Sequence, residues 1–455
     1  MSPPRFACAL AALLWCGQLG AQCYTNRTGG SKVNANRPSD DDTPAASFSP
    51  IKSFNGDLPD FICFTGGYRA RLEGFTSSFT NSSDSYMLTR FRLGMVIKPA
   101  RWFYVYTELQ DARVALTNTL SGPPYQGTWD LRRAHVDFFD MEKSPVAIRI
   151  GRQDLSFGDL RVLGTAYWRN TSRGWDAVLL ALNHRWFHAS VFSASPVVPL
   201  GSGLSHHVQG NNLHGIYSTL RNVIRNSDLE PYVLWRLSPN IKTENGGLAR
   251  LDEKAAGVRW AGVRSGFDYD AEVVGETGHI GADQIRAWAW AARIGYAFPA
   301  LPLRPRVFVE YNFASGDRNP TDGRHGAFDQ LYPNIHDHHG LADQVGWQNL
   351  REIRTGLRTS LRRNWVVAGA YNDWWLASPK DAFYNSSGSV VARDVKGLSG
   401  THKGFEIDGE TSFRLNRDLE LGVGVGHLIP GAFLKNTNHN HSFTYPYVML
   451  NYNVF

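Results

Sequence analysis

From residue 64 to the end of the chain, apolar and polar side chains trade places at every second position in segments of about 9 to 13 residues. In "RFRLGMVIKPARWFYVYTELQDARV", Phe91, Leu93, Met95 and Ile97 fall on one face and Arg90, Arg92 and Gly94 on the other. After Lys98–Arg101 the alternation resumes. Period two across a proline-containing turn predicts a β-hairpin with two chemically different faces. The same pattern predicts about 18 strands, at 64–75, 86–97, 102–114, 129–140, 145–153, 172–182, 185–194, 213–224, 228–237, 253–264, 266–276, 284–297, 304–314, 351–361, 364–376, 402–414, 417–428 and 442–455.

The links between these strands differ in kind. Those after even-numbered strands are tight: Lys98–Arg101, Met141–Ser144, Asn183–His184, Ser265, Pro299–Leu303, Arg362–Arg363 and Leu415–Asn416. Those after odd-numbered strands are long and rich in Gly, Asn, Asp and Pro, above all Ser315–Leu350 and Ala377–Thr401. Short turns on one side and long loops on the other are the asymmetry of outer-membrane barrels, with periplasmic turns and extracellular loops. The polar face carries charges in mid-strand. Arg293 lies opposite Trp288, Trp290 and Ile294; Glu352, Arg354 and Arg358 lie opposite Ile353, Leu357 and Leu361. A soluble sandwich could also display that face to water. Strands long enough to cross a bilayer with tilt, the loop asymmetry and the N-terminal segment favour lipid outside and water inside. Trp102, Trp168, Trp175, Trp365, Trp374 and Trp375 near strand ends suit interfacial girdles, and Phe455 supplies a terminal aromatic. The expected fold is all-β: a single transmembrane antiparallel up-and-down β-barrel in the bacterial outer membrane.

Composition agrees with this. Charged residues make up 19% and aromatics 13% of 455 residues. A mean hydropathy of −0.31 excludes a helical membrane protein, while a barrel needs only every second residue apolar. Of 47 basic residues only about 10 are Lys, a bias towards the forked contacts that guanidinium makes with carboxylates or phosphates. Residues 1–21 read as a signal peptide, 22–59 as a flexible lead-in and 60–455 as the barrel. The two cysteines outside the leader, Cys23 and Cys63, leave a disulfide open. Asp40–Asp42 reads as a solvated acidic spot.

Four stretches carry a resemblance. "RFRLGMVIKPARWFYVYTELQDAR" and "DLRRAHVDFFDMEKSPVAIRIGRQDLSFGD" look like early strands of the alginate export family of outer-membrane porins. "NFASGDRNPTDGRHGAFDQLYPNIHDHHGLADQVGWQNLREIR" is similar to that family's distinctive long loop, and "GVGVGHLIPGAFLK" to its closing stretch. The resemblance covers nearly all the chain after the leader. It implies an 18-stranded barrel, a constriction lined by arginines that select an anionic polysaccharide, a periplasmic export scaffold that delivers it, and loops that gate the pore.

Alternation turns Arg69, Arg71, Arg90, Arg92, Arg133 and Arg149 to the lumen and puts Arg152 beside them in "RIGRQ". Later strands add Arg259, Arg293, Arg306, Arg354 and Arg358. A ring of guanidinium forks would concentrate uronate carboxylates. The same face carries acids, with Glu73, Glu108, Asp137 and Glu310 as the counter-charges expected to tie some arginines into wall salt bridges. Strands one to five are net basic, and those near 266–276 and 402–414 are acidic. "HDHH" (His336–His339) and "NHNH" (Asn438–His441) read as exposed loop histidines rather than metal ligands. Neither a cofactor nor a resident metal is expected; a loop calcium would use Asp317, Asp322 and Asp329, which lack EF-hand spacing. "SGLSHH" (Ser202–His207) has no nucleophile elbow, so no catalytic residue is assigned and the chain is read as a non-enzyme. The expected partners are the lipid bilayer with lipopolysaccharide and an anionic polysaccharide, not nucleic acid. The competing reading is a porin of the same fold for small solutes. The Ser315–Leu350 loop is expected to fold over or into the mouth and gate it.

Overall fold

The computed structural model describes Asn55 and residues 58–76, 82–416 and 418–453. The expected leader, most of the lead-in with Cys23 and Asp40–Asp42, and Phe455 lie outside the described residues, so the disulfide reading has only its buried partner, Cys63, in view.

Eighteen strands form the wall: β1 (Ile62–Phe75), β2 (Asp84–Ala100), β3 (Phe103–Ala115), β4 (Gly127–Phe138), β5 (Val146–Gln153), β6 (Gly174–Asn183), β7 (Phe187–Val198), β8 (Asn212–Ile224), β9 (Ser227–Lys242), β10 (Leu248–Arg264), β11 (Phe267–Ile280), β12 (Asp283–Ala297), β13 (Arg306–Ala314), β14 (Leu350–Arg362), β15 (Trp365–Trp375), β16 (His402–Arg414), β17 (Leu419–Pro430) and β18 (Phe443–Asn453). Each pairs antiparallel with its chain neighbours. β1 closes the ring on β18, from Gly67↔Asn453 to Glu73↔Tyr447. Closure removes the sheet edge, so every wall strand has partners on both sides. Tight turns follow from local chemistry: Ser265 and Gly266, both at positive φ (52° and 85°), make the two-residue link between β10 and β11.

Two of the expected long links are short. β9 and β10 run on to residues 242 and 248, and β11 and β12 meet across residues 281–282. The polar residues there extend the strands beyond the apolar belt instead of forming loops. The remaining odd-numbered links stay long.

The two faces separate as alternation requires. Val309, Ile294 and Ile407 are more than half exposed on the outside, whereas Arg71, Arg149, Arg259 and Glu310 are buried within the lumen. Among the described residues no helix is long and apolar enough to cross a membrane, and crossing falls to the strands. The girdle differs from expectation. Trp102 and Trp365 face outward, but Trp175 and Trp374 are buried inside; Trp129, Trp186 and Trp288 supply exposed indoles instead. Strand parity decides this, since Trp175 shares its face with the buried Ala177 and Leu179.

Replacing Val309 by Arg puts a cation on the lipid face of β13 and should cost about 2–4 kcal/mol if it lies near the bilayer midplane. Reversible unfolding from liposomes measures this. A variant as stable as the parent would mean that the face does not meet lipid.

Candidate translocation path

The link between β5 and β6, residues 154–173, turns into the barrel and crosses the lumen as a strap. Its apolar side chains explain why. Leu155, Phe157, Val162 and Leu163 are buried against the inner faces of β6 to β8. Phe157 stacks on Phe192 and Tyr217, with centroids 5.5 and 4.8 Å apart. Gly158 sits at φ 58°, a turn that a side chain would strain. The long loop between β13 and β14, residues 315–349, also enters. The two segments share backbone hydrogen bonds: Gly164 N–H donates to Tyr332 O (2.8 Å), Tyr332 N–H to Val162 O (3.0 Å) and Asn334 N–H to Leu160 O (2.8 Å). A Cβ at Gly164 would lie 3.1 Å from both Asn334 Cβ and Leu160 Cβ, so glycine permits the close approach.

One end of the strap is held by arginines of β1 and β2. Arg69 donates to the carbonyls of Tyr167 (3.1 Å), Trp168 (3.0 Å) and Arg169 (3.3 Å). Arg90 donates to Tyr167 O (3.1 Å) and Arg169 O (3.3 Å), and Arg71 to Trp168 O (2.9 Å). Arg92 reaches Ser172 Oγ at 2.8 Å. The Arg71 guanidinium also lies 3.9 Å over the Trp168 ring, whose plane stacks on His336 at 3.8 Å. The Asn170 amide nitrogen lies within 3.1 Å of the carbonyls of Thr89, Arg113 and Tyr125.

The other end enters a charge network. Arg161 Nη2 donates to Glu310 Oε1 (3.0 Å) and its Nη1 to Asn312 Oδ1 (3.1 Å); Arg293 Nη1 lies 3.3 Å from Asp159 Oδ2. Burial alone would raise the Asp159 carboxyl, but the charges of Arg293, Arg259 and Arg161 outweigh it and hold the carboxyl below the usual range. Burial, reinforced by Arg161, pushes His338 well down, so its ring is neutral and Nε2–H donates to Asp159 O at 2.9 Å. Burial and then Arg169 push Arg173 down to about 9, still charged at neutral pH. Its Nη1 donates to Gly164 O and Tyr332 O, at 2.8 and 2.5 Å.

Between these segments and β13 to β18 lies a cavity of about 320 Å³. Arg306, Arg354 and Arg358 of β13 and β14 line it together with Asp408, Glu410 and Glu420 of β16 and β17, and the side chains of Trp168, Phe308 and Tyr447 complete the lining; in register, only Ala368 of β15 lies between Arg358 and Glu410. The charge of the cavity wall therefore changes sign from β13 and β14 to β16 and β17.

The expected site residues therefore divide. Arg306, Arg354 and Arg358 line the cavity, although Arg306 is bound to Asp268 (2.7 Å) and Arg354 donates to His338 O (3.3 Å). Arg69, Arg71, Arg90 and Arg92 face inward but hold the strap. Arg133 pairs with Glu108 (2.6 Å), and Arg149 with Asp137 (2.7 Å). Glu73 accepts from the Tyr86 hydroxyl (2.8 Å) and pairs with Arg71; Glu310 joins Arg161 and Arg293. Arg152 is a correction. It shares its face with Ile148 and the exposed Ile150, opposite the buried Arg149, and its Nε lies 2.8 Å from Asp176 Oδ1. The histidines of "HDHH" are a second correction: His338 and His339 are buried within the lumen, His339 Nδ1 lying 2.7 Å from Glu352 Oε2. Asp317, Asp322 and Asp329 do not converge, since Asp329 pairs with Arg236 (2.5 Å) and Asp322 accepts from Arg324 N–H (3.0 Å). Sequence reasoning missed the strap and its Asp159, Arg161 and Trp168. The available signal was "GWDAVLLALN", where apolar residues occupy both faces of β6 and so require cover on the lumenal side.

Residues 62–447 match the family model described as alginate export. Among solved structures, the Pseudomonas aeruginosa outer membrane protein OpdK aligns with a TM-score of 0.58 and 11% identity, covering 86% of this chain and 98% of its own. Another structure, of P. aeruginosa OpdK with vanillate, gives 0.56 and 9% over 86% and 98%. P. aeruginosa OccD3 (OpdP) gives 0.55 and 9% over 86% and 92%. Identity this low speaks for the fold alone. No curated protein matches the sequence.

Replacing Asn170 by Ala removes the strap's most connected side chain. At about 1 kcal/mol for each buried hydrogen bond lost, anchoring should weaken by ~2–4 kcal/mol. Protease cleavage within 154–173 of the folded barrel and a larger, noisier single-channel conductance are the expected results. If both stay as in the parent, the strap is held by other contacts.

Proposed function

Because the chain belongs to the alginate export family and is an outer-membrane channel, we propose that it passively translocates an anionic, alginate-like polysaccharide through its arginine-bearing lumen. The observation that carries this is the cavity wall, where Arg306, Arg354 and Arg358 stand beside Trp168, Phe308 and Tyr447. A polyuronate presents both a carboxylate for a guanidinium fork and an apolar ring face for an aromatic platform. The acids on the neighbouring strands keep the polymer from binding too firmly to leave.

In this reading the strap and the long loop form the gate. The donors of Arg69, Arg71 and Arg90 that hold strap carbonyls are those that a passing carboxylate would compete for. Delivery falls to a periplasmic scaffold that meets the barrel on its short-turn side.

A second reading is favoured by one observation. The cavity is at the lower end of the roughly 300–1,000 Å³ typical of small-ligand pockets. A porin for small carboxylates would need no more, and OpdK, of similar fold, has a structure with vanillate.

Planar bilayers separate the two. A polyuronate channel should be anion-selective and blocked by oligouronates, and replacing Arg354 and Arg358 by Ser should move the reversal potential towards zero and relieve the block. Current that oligouronates leave untouched while small carboxylates permeate would select the porin reading.

A further inference from the structure

Away from the cavity, at the long-loop end of the barrel, Glu244 of the β9–β10 turn meets Asp317 and His325 of the loop between β13 and β14. One ligand atom from each lies within 4.8 Å of the others. We propose that these three residues form a divalent-cation site suited to a borderline first-row ion such as Zn²⁺, which clamps the inserted loop to the barrel rim.

The backbone around each donor is already fixed. Gly323 N–H donates to Glu244 Oε2 and Glu244 N–H to Asp283 Oδ2, each at 2.8 Å. Asn319 N–H donates to Asp317 Oδ1 (3.0 Å), and Asp317 N–H to Asp381 Oδ2 (2.9 Å). His325 is held by a short parallel pairing in which it sits opposite Ile285. Two features ask for a cation. Glu244 Oε1 is buried with no hydrogen-bond partner. Asp317 is 6% exposed and faces a second carboxylate.

The donor set decides the kind of ion. Calcium takes six to eight oxygens, whereas one imidazole and two carboxylates suit zinc or its neighbours. Ligand bonds of about 2.1 Å require donor separations near 3.5 Å, which small side-chain rotations supply from the present spacing. Glu244 and Asp317 lie 73 positions apart, and the ion would close that long segment while holding the outer part of the loop whose inner part fills the lumen. The inference is independent of the cargo.

The test is titration calorimetry of the folded barrel in detergent with ZnCl₂ and, separately, CaCl₂. One zinc per chain should bind, with calcium at least tenfold weaker. Glu244→Gln and His325→Gln should each weaken zinc binding at least tenfold, while His441→Gln, in an exposed loop, leaves it as in the parent; heat-modified gel migration verifies that each variant is folded. Absence of zinc binding, calcium binding as tight as zinc, or zinc binding unchanged in folded Glu244→Gln and His325→Gln would overturn the proposal.

Discussion

A guanidinium ion withdrawn from water needs acceptors, and this requirement organises the lumen. Truncating one partner of a buried pair typically costs about 3–5 kcal/mol, because the remaining charge is stranded. The wall presents more inward arginines than its own carboxylates satisfy at β1 and β2. Arg69, Arg71 and Arg90 complete their coordination with backbone carbonyls of residues 167–169. A carbonyl dipole brings no counter-charge, so the ladder stays net positive while its donors are filled. At β12 and β13 the strap uses the opposite device, inserting Arg161 between Glu310 and Asn312. The same segment thus answers a surplus of cations at one end and of anions at the other.

On either side of Asp159 and Arg161 the strap is an apolar insertion, which gives the barrel three inner sectors. β6 to β8 line their lumenal side with Trp175, Leu179, Phe192 and Leu213 because Leu155, Phe157 and Leu163 cover them. β1, β2 and β9 to β13 hold the charged contacts. β13 to β18 keep the open space. Gly422 of β17 lines that space without a side chain, and Glu410 and Glu420 share its wall with Arg354 and Arg358.

The wall was readable from sequence because a strand's period is local: every strand from β1 to β18 lies where alternation put it, to within a few residues at most ends. What the loops do was not, because it depends on contacts between residues such as Arg69 and Trp168, about a hundred positions apart. Alternation told that Arg90 faces inward; it could not tell that a carbonyl already waits there. Arg152 was misplaced because it lies three positions after Arg149, an odd step that must change face. His338 and His339 look like solvent-facing loop residues by composition, and only the inward turn of the long loop buries them. The apolar lumenal face of β6 was the one local sign that something covers it.

The inner ladder holds the strap, and under the proposed function it would also attract anions through the same donors. A carboxylate offers a guanidinium two parallel hydrogen bonds and a counter-charge, neither of which a single neutral carbonyl supplies. A carboxylate arriving beside Arg69 or Arg90 therefore exchanges with strap carbonyls without leaving a cation bare, which would be the costly step. A released strap must then resolvate Tyr167–Arg169 and uncover Phe157 from Phe192 and Tyr217, and the apolar part resists. Each Phe-sized side chain uncovered costs about 1.5–3 kcal/mol, so a single competing carboxylate frees the polar end while the apolar end holds. Under the proposed function, a polymer with successive carboxylates would meet several ladder rungs at once and sum the exchanges needed to displace the segment. Under the proposed polyuronate reading, the length of the anion, more than its charge alone, would decide whether the passage widens.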